Sequence, residues 1–236
     1  MNNFVFKVRR NISSFLEISQ EIPEGTTKVI CKNKGLRSLK GLDLFPKSVK
    51  TLDVSENRLS SLEGLCGSNV TQLFISHNRI FSLEGLCGSN VKQLIISHNR
   101  ISSLEGLCRS NVTRLFISHN RISSLEGLRG SNVTELIISH NRISSLEGLR
   151  GSNVKQLIIS HNRISSFEGL CGSNVIELLI FDNQITSLEE IYWSNVTKLV
   201  ILDNPCYQEF KEKFQNSVFK LREYYSYLEV REPDCY

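Results

Sequence analysis

The five histidines of the chain stand at 77, 98, 119, 140 and 161, each 21 residues after the last. Imidazole carries protons and binds metals near neutral pH, so the row first raises acid–base or metal chemistry. Three readings compete for His77, His98, His119, His140 and His161: copying along with the segment around them, a polar border to a binding surface, and metal ligation. A tetrahedral ion needs ligands that converge, and parallel side chains do not converge. An active site is a single constellation, not a fivefold stripe. Stacked like charges repel, so the row is expected to resist protonation.

There are seven cysteines. Cys66, Cys87, Cys108 and Cys171 share one column of equivalent positions, in which intervening units carry Arg129 and Arg150. A position that accepts arginine is solvent-accessible and holds no obligatory disulfide. Cys31 replaces a core aliphatic. Cys206 and Cys235 can pair only in an exported protein, and an odd total excludes a complete disulfide framework. No phosphate-cradling glycine loop, metal-ligand cysteine spacing or nucleophile with its own histidine is found. These residues point away from an enzyme, a cofactor, a metal and a small-molecule substrate.

The elements that position them come from a repeat. Asn57, Asn78, Asn99, Asn120, Asn141, Asn162, Asn183 and Asn204 are 21 residues apart, within units of the form S-N-V-x-x-L-x-I-S-H-N-R-I-S-S-L-E-G-L-x-G. A divergent copy at Val29, Cys31, Leu36, Leu39 and Leu42 has Lys34 in place of the asparagine, which makes nine repeats. Such a unit cannot bury its own apolar face and must stack on its copies. Leu73 and Ile75, two apart, point to one side of a strand, and Ile80, Leu83 and Leu86 pack the return path. The asparagine amide both donates and accepts, which suits it to backbone groups at the turn leaving each strand. The eight form a structural ladder with no binding role.

These units resemble the leucine-rich repeat, L-x-x-L-x-L-x-x-N-x-L, over residues 29 to about 205. The tail Asn-Arg-Ile-Ser-Ser-Leu-Glu-Gly-Leu is similar to the phosphatase-regulator-type subclass. The resemblance implies an α/β fold: a curved solenoid with a parallel sheet on its concave face and short 3-10 or irregular convex segments. Residues 1–28 read as an N-terminal cap, 29–205 as the solenoid and 206–236 as a C-terminal cap, one continuous domain. Phe210, Phe214, Val218 and Leu221 have helical spacing, and this tail resembles the helical cap of intracellular members. It also implies a protein partner held on the concave face. Near-identical repeats are similar in style to arrays carried by large DNA viruses and intracellular pathogens, which would place the chain in a virion or host cell.

Each column of equivalent residues becomes a stripe along the solenoid. The central outward column holds Phe74, Ile95, Phe116, Ile137, Ile158 and Leu179, between Asp53 and Val200. Strand propensity explains it, and so does an exposed partner surface. Beside it run Ser55, Ser76, Ser97, Ser118, Ser139 and Ser160, then Phe181 and Leu202, and next the histidine column, flanked by Glu56, Asp182 and Asp203. Stripes of arginine (Arg58 to Arg163) and glutamate (Glu63 to Glu168) balance each other and read as a salt-bridged surface. A net charge of +4 with sparse aromatics argues against nucleic acid. The sequons at Asn69, Asn111, Asn132, Asn195 and Asn11 are read as by-products of the Ser-Asn turn.

No run approaches the roughly 18–20 apolar residues of a membrane span, and residues 1–10 lack the apolar core of a signal peptide. A cytoplasmic or nuclear setting follows as the default. The function read from all this is a non-catalytic interaction module or adaptor. The alternative is a structural or assembly component packed through its edges or convex side.

Overall fold

The computed structural model describes residues 4–226. One sheet holds ten parallel strands in chain order. They are β1 Phe4–Lys7, β2 Thr26–Ile30, β3 Thr51–Asp53, β4 Gln72–Phe74, β5 Gln93–Ile95, β6 Arg114–Phe116, β7 Glu135–Ile137, β8 Gln156–Ile158, β9 Glu177–Leu179 and β10 Lys198–Val200. From β3 to β10 the register steps by 21 residues, so Leu52, Leu73, Leu94, Leu115, Leu136, Leu157, Leu178 and Leu199 lie side by side. This is a leucine-rich-repeat solenoid.

Successive coils fill the interior from the same columns, aliphatic except at Cys31 and Phe167. In one coil Val70, Leu73, Ile75, Ile80, Leu83 and Leu86 are at most 1% exposed. Burying each is worth about 1.5–3 kcal/mol, and the set has neighbours only in adjacent coils, so stability is shared between coils. A glycine makes the return path fit. Gly148 has φ +93°, and a Cβ there would meet the Leu125 carbonyl carbon at 2.6 Å.

One further strand precedes the strands of the nine repeats. β1 opens the sheet, pairing Phe6 with Val29 of β2, while Val8, Ile12, Phe15, Ile18 and Ile22 are buried in the common core. These residues pack ahead of the first repeat. β1 pairs with β2 at a step of 23 residues, from Phe6 to Val29, as β2 does with β3, from Val29 to Leu52. At the other end lie α1 Tyr207–Phe214 and α2 Val218–Ser226. Phe210, Phe214, Val218 and Leu221 are buried against the last coil. Residues 227–236 of the predicted cap lie outside the described residues.

Candidate concave-face site

The site is built on the turn that leaves each strand. Asn78 shows how. Its Nδ2 donates to Ile75 and Ser76 carbonyls of its own coil at 3.1 and 3.2 Å and to the Val54 carbonyl of the preceding coil at 3.0 Å. Its Oδ1 accepts from Leu59 N–H of that preceding coil at 2.9 Å. Two amide hydrogens are shared among three carbonyls, and the side chain ties two coils together. Asn57, Asn99, Asn120, Asn141, Asn162, Asn183 and Asn204 repeat the arrangement.

Seating the asparagine inward forces the residue before it into the left-handed region. Glu56, His77, His98, His119, His140, His161, Asp182 and Asp203 have φ between +52° and +59°. Histidine and aspartate tolerate this conformation better than most non-glycine residues. The histidine column therefore has a backbone cause besides copying.

Those turns set the imidazoles in a face-to-face stack. Centroids are 4.2, 4.1, 4.1 and 4.0 Å apart from His77 through His161, with planes within 10–11°. The stack ends at Phe181, edge-on at 5.4 Å, and at the Asp182 carboxylate, which pairs with His161 Nδ1. Partial burial, and then the neighbouring imidazoles, push His98 and His140 below the ordinary histidine range. Among the described residues no group of three or more His, Cys, Asp or Glu is arranged to hold a metal; parallel rings do not converge.

The apolar column lies beside the stack. Phe74, Ile95, Phe116, Ile137, Ile158 and Leu179 point outward but are half-buried, because each is flanked by its counterparts one strand spacing away, about 4.8 Å. They form a shallow ribbon. Only at the C-terminal end does it open: Val200 is 38% and Leu202 43% exposed. The serines between ribbon and histidines are partly committed to the backbone, as Ser118 Oγ accepts from Ser139 N–H at 3.1 Å.

Two features escaped the column reading. Thr51, Gln72, Gln93, Arg114, Glu135, Gln156, Glu177 and Lys198 also face outward, two residues before the ribbon in each strand. Thr51 Oγ1 donates to Gln72 Oε1 at 3.1 Å, Arg114 Nε meets Glu135 Oε2 at 3.3 Å, and Lys198 pairs with Glu177. The period of two that placed the ribbon also places this column. Secondly, Asn90, Asn111, Asn132, Asn153, Asn174 and Asn195 donate to the Ser68, Ser89, Ser110, Ser131, Ser152 and Ser173 carbonyls of preceding coils at 2.7–2.9 Å. Three of these are sequon asparagines, so the Ser-Asn turn has a structural task of its own.

The long charge stripes behave differently from expectation. Arg58 to Arg163 and Glu63 to Glu168 are exposed, yet no ion pair among the described residues joins the two stripes. The arginines leave at the strand-exit turn, and the glutamates stand five residues further along the return path. Cys31 and Cys206 are buried free thiols, whereas Cys66, Cys87 and Cys108 are exposed free thiols. Cys235, read as a partner for Cys206, lies outside the described residues. No helix among them is long and apolar enough to cross a membrane.

No family model and no curated protein matches the chain. Solved structures do. Internalin C2 from Listeria monocytogenes is similar with TM-score 0.61 and 22% identity, over 74% of this chain and 80% of that one. The functional domain of InlJ from Listeria monocytogenes, described as including a cysteine ladder, gives TM-score 0.56 and 17% identity, over 84% of this chain and 48% of that one. Internalin InlF from Listeria monocytogenes gives 0.51 and 19%, over 80% and 63%. What these proteins have in common with the chain is the fold, the leucine-rich-repeat solenoid.

Proposed function

We propose that the chain is a non-catalytic protein-binding module whose concave face holds its partner. The observation that carries this reading is the layout of that face: an apolar ribbon, Phe74 to Leu179, between the Gln72–Lys198 polar column and the histidine stack. An apolar centre with a polar rim is the anatomy of a protein interface. Departures from the repeat strengthen it, since copying cannot produce them. Phe181 and Leu202 replace the serine of the other coils, and with Val200 they widen the ribbon where it is most open.

Affinity capture from the native source tests this, with Phe116→Asp/Ile137→Asp beside wild type. Both positions are half-buried, so circular dichroism accompanies each preparation. Loss of capture with the fold retained supports the concave face; unchanged capture refutes it. A second reading, a structural or assembly component joined through its edges, rests on β1. This outermost strand exposes Phe4 by 61% and Val5 by 46%, and an unpaired strand edge is a template for another chain. Under that reading Val5→Lys, and not the concave pair, abolishes association.

A further inference from the structure

We propose that Arg58, Arg79, Arg100, Arg121, Arg142 and Arg163 form a rail that binds an extended, carboxylate-rich segment of a protein partner. The six are 21 residues apart, each two positions past a member of the column that runs from Glu56 through the histidines. All are exposed. The fold sets their spacing. Arg79 N–H donates to the Leu59 carbonyl at 2.8 Å, and Leu59 directly follows Arg58. The same 2.8 Å bond ties Arg100, Arg121, Arg142 and Arg163 to the coil before. Backbones bonded in this way are about 4.8 Å apart, and two residues earlier the imidazole centroids are 4.0–4.2 Å apart. The screening length at physiological salt is about 8 Å, so each charge reaches the next. Together they make one positive line about 24 Å long, five spacings of about 4.8 Å.

That line has no counter-charge of its own. Among the described residues no carboxylate pairs with any of the six arginines. The acids that border the histidine column are already taken: Glu56 pairs with Lys32, and Asp182 with His161. On the far side of the apolar ribbon, by contrast, Arg114 meets Glu135 and Lys198 meets Glu177. The chain thus matches charges along one rim of the concave face and leaves the arginine rim unmatched. The row stops at Gln184, in the coil where Asp182 replaces histidine.

A guanidinium forks onto either a carboxylate or a phosphate, and what stands beside the row decides between them. Single-stranded nucleic acid needs aromatic faces on which its bases stack. The five imidazoles cover one another's faces. Two residues past the arginines stand Ser60, Ser102, Ser123, Ser144 and Ser165, with Phe81 in the remaining coil. These serines are exposed and offer no stacking platform. Carboxylates on an extended peptide need only the row itself. At about 3.3 Å per residue, about seven residues cover the line of about 24 Å.

Fluorescein-labelled octaglutamate is titrated with the full chain at pH 8, above the ordinary histidine range, and read by fluorescence anisotropy. This probe has no apolar side chain to place on the ribbon, so binding at the rail and capture through the ribbon succeed or fail separately. Two triple variants each lower the net charge of +4 by three. Arg100→Gln/Arg121→Gln/Arg142→Gln should bind at least about tenfold more weakly than wild type, as three exposed pairs are lost. Lys47→Gln/Arg109→Gln/Arg129→Gln, which removes the same charge elsewhere on the surface, should stay within about twofold, because exposed charges beyond a screening length contribute little. Equal weakening in both triples, or no binding by wild type, would overturn the rail. So would octauridylate binding more tightly than octaglutamate, the sign of a nucleic-acid surface. Glutamine already holds this column at Gln184, and circular dichroism checks each fold. Arg121→Gln beside Arg109→Gln repeats the comparison, with the first expected to be the weaker binder, should a triple variant unfold.

Discussion

His140 and His161 stack with ring centroids 4.0 Å apart and planes 10° apart, on backbones at φ +54° and +53°. A proton on one ring is felt by the next, and the stack should bear on stability as well as on titration.

His98 and His140 are held below the ordinary histidine range by burial first and by neighbouring imidazoles second. The unfolded chain then takes up protons first, near the usual value of about 6.5. Stability contributed by these two groups is intact above that value, falls as pH drops toward their lower folded values, and falls no further below them. Nuclear magnetic resonance titration should give midpoints under 6.5 for both. His119→Asn, which removes a charge that depresses each of them, should raise both midpoints. Unchanged midpoints in that variant would contradict the coupling.

Asn99→Ala removes bonds to the Ile75, Ile96 and Ser97 carbonyls and to Ile80 N–H. A buried group left without a partner costs about 1–3 kcal/mol, so destabilisation of at least that size is expected in urea. The bonds to Ile75 and Ile80 cross to the preceding coil. The transition should therefore broaden as the two halves of the solenoid uncouple.

Gly148→Ala and Gly151→Ala separate strain from crowding. Both glycines have positive φ, +93° and +71°, and left-handed backbone costs a substituted residue about 1–2 kcal/mol. At Gly151 the nearest atom to a new Cβ is Arg129 Nε at 3.8 Å, whereas at Gly148 it is the Leu125 carbonyl carbon at 2.6 Å. Gly151→Ala should stay within that range and Gly148→Ala should exceed it clearly in thermal unfolding. Equal losses would show that coil contact at Gly148 is not limiting.

Burial pushes the Cys31 thiol up to about 12 and the Cys206 thiol up to about 11. Both should resist iodoacetamide at pH 8 in the folded protein, while Cys66, Cys87 and Cys108 are alkylated. Peptide mapping by mass spectrometry reads each site. Modification of Cys31 at the rate of Cys66 would mean that the first coils open readily.

The primary structure alone determined the solenoid, because a unit too short to bury Leu73, Ile75, Ile80, Leu83 and Leu86 by itself must stack, and copying makes the stacking register legible. It also marked the outward ribbon through the two-residue period of a strand. Tertiary structure decided the rest. The strand β1 was invisible because residues 1–28 carry no copy of the repeat motif, while the core recognises only where Phe6, Val8 and Ile12 fall in space. Which stripes pair was equally hidden: the arginine and glutamate rows look complementary in the chain, but no ion pair among the described residues joins them. The left-handed backbone beneath the histidines depends on the neighbouring asparagine reaching the preceding coil.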